Sequence, residues 1–499
     1  MLRGLEGMKA LDRGDAVTLP TLAILAGSGV ALLTTLGARI VMARALTPAE
    51  LGFVLLGVAV VSGVGGVASL GLSPATGRRV ADLVALGKTA EARACGRSAV
   101  ATAAVTGTVG AALVVVAGGL VTSLPKAGPL GGILAFLAPV ALGLAPGYAM
   151  VGVARGFGDY FGRPLIRDAG GGLLRLVAIT VAVMAGSGPR WIAFGFMVGS
   201  VVGEGGFLTY GMLRGWVSRV PARWWDRELW RGLRPFSVME LLSQLTQWTD
   251  MLVLGALGAP AAVGFYGVAR SFSRALEIVH VSAAHNFLPA VTAALHGVGR
   301  DELVRVYVRT RTFIFALMWP FLALCIAAPA AVVGRLFGAP YLPAAPILRL
   351  LGLALLLRAM FGYKDLALIA LDRAAFTARV GAVSFAGGLV VMLALVPFFG
   401  GEGAATAVLV MTVMNGIALA KSLWRVAGVR PWVEDLPPRV VGSIGLTAVA
   451  WLVANAVSAS ATATAAWVVA AAAVGSLWVV LSLYPEQRPV VSGRPPTTG

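Results

Sequence analysis

With Arg379 counted to the loop it adjoins, nine cationic side chains fall inside stretches apolar enough to cross a bilayer: Arg39, Arg44, Arg175, Arg270, Arg274, Arg349, Arg358, Lys364 and Lys421. Five acids share those stretches: Glu204, Glu240, Asp250, Glu277 and Asp365. An ionised group at the centre of a spanning helix costs about 2.5 to 3.5 kcal/mol on insertion scales. Such groups persist where they face a protein interior or a watery cavity. The excess of cations predicts a cavity suited to an anion, and the planar fork of arginine suits phosphate oxygens. Arg270 and Arg274 stand four residues apart and share a helix face, which Glu277 continues. Arg358 lies near the middle of its stretch, the costliest depth. Arg39, Arg270, Arg274 and Arg358 are therefore the candidates for contact with an anion. The alternative for each is an internal pair, Arg270 with Asp250 or Arg274 with Glu277. Arg44, Arg175 and Lys421 sit near the ends of their stretches, where long side chains reach the interface.

The acids suggest a second chemistry. Asp250, Glu240 and Glu204 are candidates for a proton or sodium site that couples an ion to transport. Glu240, Gln244 and Gln247 follow helical spacing and form one polar stripe. His280 and His285 have the chemistry of a proton relay, although a hydrogen-bonded structural histidine is the commoner case. Lys364 and Asp365 are adjacent and could pair. Three histidines and two cysteines, Cys95 and Cys325, supply no zinc, haem or iron–sulfur spacing. No metal and no cofactor beyond a coupling ion is expected. Cys95 is placed in a loop and Cys325 in a helix, so no disulfide is expected either.

The elements that must position these groups are helices. The chain has 499 residues, 58% hydrophobic and 12% charged, with a mean hydropathy of +0.86. A soluble domain is about a quarter charged. A span needs about 20 mostly apolar residues. On that criterion the first lobe has spans near 17–44, 51–75, 98–121, 129–154, 169–187 and 191–213. The next six are near 235–257, 263–292, 312–334, 343–371, 376–398 and 403–424, and two more are near 440–458 and 464–484. The expected class is an all-α integral membrane protein of about 14 helices.

Charge placement supports this count. With both termini cytoplasmic, the even-numbered loops are basic; between spans, the outer side holds only Lys126, Arg190 and Arg335. The net charge of +18 is therefore a topology signal, and a nucleic-acid role is not expected. The loop 214–234 mixes Arg214, Arg219 and Arg223 with Trp216, Trp224 and Trp225. Such a mixture can bind single strands, but between two spans it reads as an interfacial belt on anionic lipid. The first residues lack the short apolar core of a cleavable signal.

The chain also repeats itself. Pro48, Gly52 and Phe53 align with Pro260, Gly264 and Phe265 at one offset. Pro74-Ala75 answers Pro289-Ala290 three residues later. The turn between spans one and two thus matches that between spans seven and eight. This predicts a first lobe at 1–213, a basic linker at 214–234, a second lobe at 235–427 and an accessory pair with tail at 428–499. Transporters often place the substrate path between such repeats.

Several motifs carry a family resemblance. They are Arg39, Ala43-Arg44-Ala45-Leu46, Pro48 and Gly52; Asp250 and Leu254-Gly255; and Val263-Gly264-Phe265-Tyr266 with Ala269-Arg270. They continue with Leu288-Pro289-Ala290, Phe337-Gly338, Tyr341 and Ala344-Ala345, then Val396-Pro397, Gly400 and Gly403-Ala404-Ala405. In order and spacing the chain resembles the Wzx-type polysaccharide-biosynthesis flippases, kin of the multidrug antiporters and the lipid II flippase. The resemblance implies a two-lobed helical bundle in the cytoplasmic membrane. It implies alternating-access transfer of an undecaprenyl-pyrophosphate-type oligosaccharide, with no covalent chemistry. It implies as partners the anionic lipid-linked oligosaccharide, the membrane and other membrane proteins of polysaccharide assembly. Some relatives hold sodium with polar groups on spans seven, eleven and twelve; here span eleven offers only Thr377, Arg379 and Ser384, a departure that weighs against such a site. The rival readings are a lipid II flippase, a drug or cation antiporter, which would want an acid-lined cavity, and a membrane polymerase or ligase, which would want a large outer loop.

Overall fold

The structure is a computed structural model, and it describes residues 15–122, 128–159, 161–186, 188–217, 227–297, 300–428, 438–457 and 460–483. Among these the regular secondary structure is helical throughout. Every stretch predicted to span has a helical counterpart, and among the described residues eight segments are long and apolar enough to cross a membrane. Large apolar side chains such as Leu113, Val116, Val181, Val390 and Phe398 lie exposed. In water that would be an aggregation liability; in a bilayer it is the lipid-facing surface. The protein is a multi-pass membrane protein.

The helices run in chain order as α1 (Asp15–Ala45), α2 (Pro48–Ala68), α3 (Leu72–Ala85), α4 (Thr89–Thr122) and α5 (Leu130–Gly156). A π-helical turn, Arg163–Gly170, leads into α6 (Gly171–Met184), followed by α7 (Pro189–Leu213), α8 (Arg227–Leu257) and α9 (Pro260–Gly297). Then come α10 (Arg300–Ala327), α11 (Pro329–Leu336), α12 (Ala344–Phe361), α13 (Lys364–Ala370) and α14 (Ala374–Ala427), with α15 (Pro438–Ala456) and α16 (Ala461–Leu483) last.

The second, third and tenth of the expected spans differ from the reading of the sequence. The second is interrupted: Leu70 and Gly71 take left-handed φ of 50° and 71°, separating α2 from α3. The tenth breaks at Gly362, φ 59°, between α12 and α13. The eleventh and twelfth are two helices that meet at a sharp kink at Gly400, φ 51°, as the reading of the sequence expects. The third begins nine residues early, so Cys95 lies on α4, buried, not in a loop. Both cysteines are free.

Two compact units follow. The first comprises residues 1–278, 333–347 and 388–408; the second comprises 279–332, 348–387 and 409–499. In the first, α5 packs on α2, α3, α4 and α7, and α2 packs on α8. Glycines permit that approach: a Cβ on Gly66 would strike Gln244, and one on Gly71 the backbone of Phe236. Ser237 Oγ donates to the Leu70 carbonyl at 2.6 Å, which helps satisfy the chain at the break.

The repeated turns meet reciprocally inside this unit. A Cβ on Gly52 would run into the Pro260 carbonyl, and one on Gly264 into the Pro48 carbonyl. The correspondence read at an offset of 212 is thus a two-way backbone contact that tolerates no side chain at either glycine. Helix α2 starts from a capping box, with Thr47 accepting from Glu50 N at 3.4 Å and Glu50 accepting from Thr47 N at 2.9 Å. Pro48 holds its first position.

In the second unit, α15 and α16 pair and α16 lies along α10. Trp319 Nε1 donates to Thr447 Oγ1 at 3.0 Å, and Trp451 Nε1 to the Ala327 carbonyl at 3.1 Å. The accessory pair is therefore tied to a defined neighbour.

Candidate functional site

The polar groups of the first unit form a continuous system. Asp250 on α8 is buried, 6% exposed. Its Oδ2 receives the Arg270 guanidinium of α9 and the Tyr266 hydroxyl at 2.6 Å. Its Oδ1 accepts the Met251 amide at 2.8 Å. The carboxylate is thus committed to an arginine, a phenol and an amide. An unpaired buried carboxylate would be far costlier.

Arg270 and Arg274 share one face of α9, as their spacing required. Both reach the Gln247 carbonyl, Arg274 at 3.1 Å. The Arg274 guanidinium also lies over Trp248, 4.9 Å from the ring centroid. Trp248 Nε1 donates to Gln244 Oε1 at 3.2 Å, and Gln244 Nε2 to Glu240 Oε1 at 2.6 Å. The predicted stripe on α8 is real in its first two members, and the Gln247 backbone, not its side chain, receives the arginines.

Arg39 on α1 completes the group. Its Nη1 is buried without a hydrogen-bond partner. Its charge lies in electrostatic range of Arg274 and Arg175. Burying the Arg39 guanidinium beside like charges, with one nitrogen unbonded, is unfavourable for the protein alone, although Arg175 also lies in range of Glu204 and Asp168. It is the arrangement expected where an anion completes the site.

A separate ion pair fixes the first lobe from within. Arg167, in the π-helical turn, grips Glu204 of α7 through Nε at 2.9 Å and Nη2 at 2.8 Å, a forked pair. The Arg167 guanidinium also lies 4.6 Å from the Tyr148 ring centroid. Gly147 makes room, because a Cβ there would strike the Glu204 carboxylate. Glu204 is held as an arginine's partner, an arrangement its sequence position did not signal.

Arg358 lies on α12 in the second unit, half-buried, in electrostatic range of Tyr363 and Lys364. Arg311 precedes the span expected near 312–334 and so falls in a basic loop on the sequence reading; it is instead 2% exposed on α10. The clue available in the sequence was the apolar run that begins directly after it. The adjacent Lys364 and Asp365 form no ion pair with each other; Lys364 faces the Phe361 ring at 5.4 Å. The side chains of Glu277, His280 and His285 lie outside the described residues. Among the described residues no cluster of His, Cys, Asp or Glu could hold a metal ion.

At the turn region, Arg44 caps the C-terminus of α11 by donating to the Leu336 carbonyl at 3.1 Å and to that of Arg335. Tyr341 donates to the Leu46 carbonyl at 2.9 Å. Burial, and then the Glu50 carboxylate, push the Tyr341 phenol above its ordinary value.

The chain resembles known proteins in sequence and in fold. The sequence matches the family described as polysaccharide biosynthesis protein over residues 41–346. The fold is shared with solved transporters. One is a multidrug resistance MATE family transporter of the MOP superfamily in an inward-facing conformation, TM-score 0.67, 17% identical, covering 83% of this chain and 99% of that one. Another is the lipid II flippase MurJ in an inward closed conformation, TM-score 0.71, 13% identical, covering 93% and 99%. A third is a MOP superfamily transporter from Pyrococcus furiosus, described as having a binding pocket of reverse polarity, TM-score 0.53 and 16% identical, covering 81% and 95%. No curated protein matches the sequence. The class is therefore a multi-pass helical membrane protein with the MATE and MurJ fold. Within it, the chain belongs to the polysaccharide biosynthesis protein family.

Proposed function

We propose that this protein is a flippase. It would carry a lipid-linked oligosaccharide, of the undecaprenyl-pyrophosphate type, across the cytoplasmic membrane by alternating access. The observation that carries the reading is the cation group of the first unit. Asp250 neutralises Arg270, while the buried Arg39 Nη1 lacks a hydrogen-bond partner and lies in electrostatic range of Arg274 and Arg175. A sugar pyrophosphate is anionic and strongly hydrated, so it crosses only where fixed cations replace its water. The polysaccharide family membership supports a sugar-linked substrate, and the shared fold supports a transport cycle. Arg358 is proposed as a further contact in the second unit. The six-helix lobes of the repeat, the cytoplasmic termini and the other assembly proteins as partners belong to the same proposal.

A cation antiporter needs a free carboxylate to exchange. Asp250 and Glu204 are each committed to an arginine. Glu240 accepts from Gln244 and is the remaining candidate for a coupling ion.

The test is transport of a fluorescent lipid-linked oligosaccharide in vesicles reconstituted with purified protein. Arg274→Gln and Arg39→Gln are expected to reduce the rate at least tenfold while the protein still expresses and inserts. Wild-type rates in both variants would overturn the reading.

A further inference from the structure

We infer that the cleft between the two arms of α14 is a binding site for an anionic phospholipid of the surrounding bilayer, with the phosphate on Arg379 and one acyl chain in the cleft. Such a site is independent of the substrate that the protein carries.

The cleft follows from the spacing of residues along α14, whose arms meet at Gly400. On the first arm Phe376, Arg379, Val380, Val383 and Ser384 recur at helical spacing and share a face. On the second, Met414, Ala418, Lys421 and Arg425 do the same. The opposite face of the second arm is packed. Gly416, Leu419, Ala420 and Leu423 are buried there, and the Phe361 ring lies against Gly416. The arms touch at Gly387, where a Cβ would lie 2.8 Å from Met414 Cε. Beyond that contact they leave a cleft of about 310 Å³, lined by the five first-arm residues with Met414 and Ala418. Small-ligand pockets begin at about 300 Å³. Val383 is 65% exposed and stands two turns from Val390, on the lipid-facing stripe of its arm. The cleft is therefore open to the bilayer.

Positive charge marks one end of it. Arg379 is exposed, with its Nε donating to the Ala375 carbonyl at 3.3 Å. Lys421, exposed on the other arm, lies as far from the Gly387–Met414 contact as Arg379 does, to within one residue. Among the described residues neither is ion-paired. The acid nearest in the chain is Asp372, exposed beside Arg373. An acyl chain suits any apolar groove in a bilayer; the cations make the choice of head group. With the basic loops cytoplasmic, this end lies at the inner leaflet, where acidic lipids meet basic pockets between helices. Ser384, 3% exposed, lies about 7.5 Å deeper than Arg379 at 1.5 Å per residue. It brings a hydroxyl to the cleft, placed to donate to an ester carbonyl. That favours a glycerophospholipid over a polyprenyl phosphate, which has no ester carbonyl.

The test uses the full chain purified in detergent, with bound lipid counted by native mass spectrometry. Dioleoyl phosphatidylglycerol is the probe. Dioleoyl phosphatidylcholine, glycerol 3-phosphate and undecaprenyl phosphate are the comparisons. Wild type is expected to bind phosphatidylglycerol at least about fivefold more tightly than phosphatidylcholine. Arg379→Gln should weaken phosphatidylglycerol about fivefold, the worth of one cation beside an anionic lipid, and Arg379→Lys should retain most of the affinity. Arg379→Gln combined with Lys421→Gln should abolish the preference between the two lipids. Val383→Trp, which fills the cleft from an exposed position, should weaken both. Unchanged phosphatidylglycerol affinity in the double variant would overturn the site. Glycerol 3-phosphate binding as tightly as the phospholipid would overturn the place of the chain in the cleft. Undecaprenyl phosphate displacing phosphatidylglycerol at equal concentration would give the cleft to a carrier lipid and overturn the assignment. So would a dimer that Val383→Trp breaks without changing lipid binding, because the cleft would then hold a second copy of the chain.

Discussion

Asp250 shows how much one buried carboxylate constrains. It accepts from Arg270, Tyr266 and Met251 at once. Removing one partner of a buried pair costs about 3 to 5 kcal/mol, mostly because the other charge is left uncompensated. Asp250→Asn should therefore lower the melting temperature of the detergent-solubilised protein clearly. Adding Arg270→Gln should restore part of the loss. A double variant no more stable than Asp250→Asn would mean that the pair is not the reason. The same logic applies to Arg167 and Glu204, where Glu204→Gln leaves a buried guanidinium half served; loss of monodispersity in size-exclusion profiles is the expected sign. Tyr341 makes a smaller claim. Its hydrogen bond to Leu46 is worth about 1 kcal/mol, a typical net value. Because its folded pKa is raised, that stabilisation is complete below the ordinary tyrosine value near 10 and fades as pH rises above it. Tyr341→Phe should remove both the increment and its alkaline loss, read from melting temperatures across pH.

At the scale of elements, the repeated turns carry the clearest prediction. Gly52 and Gly264 each face the other turn's proline carbonyl with no room for a Cβ. Gly52→Val and Gly264→Val should each disrupt the contact and lower the yield of folded protein. Gly63→Ala is the control, since its Cβ would meet Trp248 at an ordinary 3.6 Å. Equal yields for all three would mean that the turns do not depend on close approach. The glycine breaks between α2 and α3 and between α12 and α13 belong to this scale too. At Gly71 and Gly362 any other L residue would be strained by a positive φ.

At the scale of the whole molecule, topology is the open property. The proposed orientation, with the basic even-numbered loops inside, has both termini in the cytoplasm. A single cysteine at Ala259, between α8 and α9, should react with a membrane-impermeant maleimide in intact cells. One at Leu86, between α3 and α4, should react only after permeabilisation. Cys95 and Cys325 are buried, so background labelling should be low. The reverse pattern would invert the orientation.

Much of this protein was written in its sequence. Hydropathy over windows of about 20 residues set the helices, because a bilayer permits few other backbones. The offset between Pro48–Gly52 and Pro260–Gly264 announced a repeat, and the spacing of Arg270 and Arg274 a shared face. Tertiary structure alone decided the rest. Arg311 read as loop because it precedes the apolar run, yet α10 extends beyond that run and buries it. Arg167 had no local sign that it would grip Glu204, 37 positions away. Asp250 could have bound an ion or an arginine, and only the packing of α9 on α8 delivered Arg270 to it. Composition and periodicity report which surfaces must be buried; which charge meets which depends on contacts distant in the chain, to which no local pattern is sensitive.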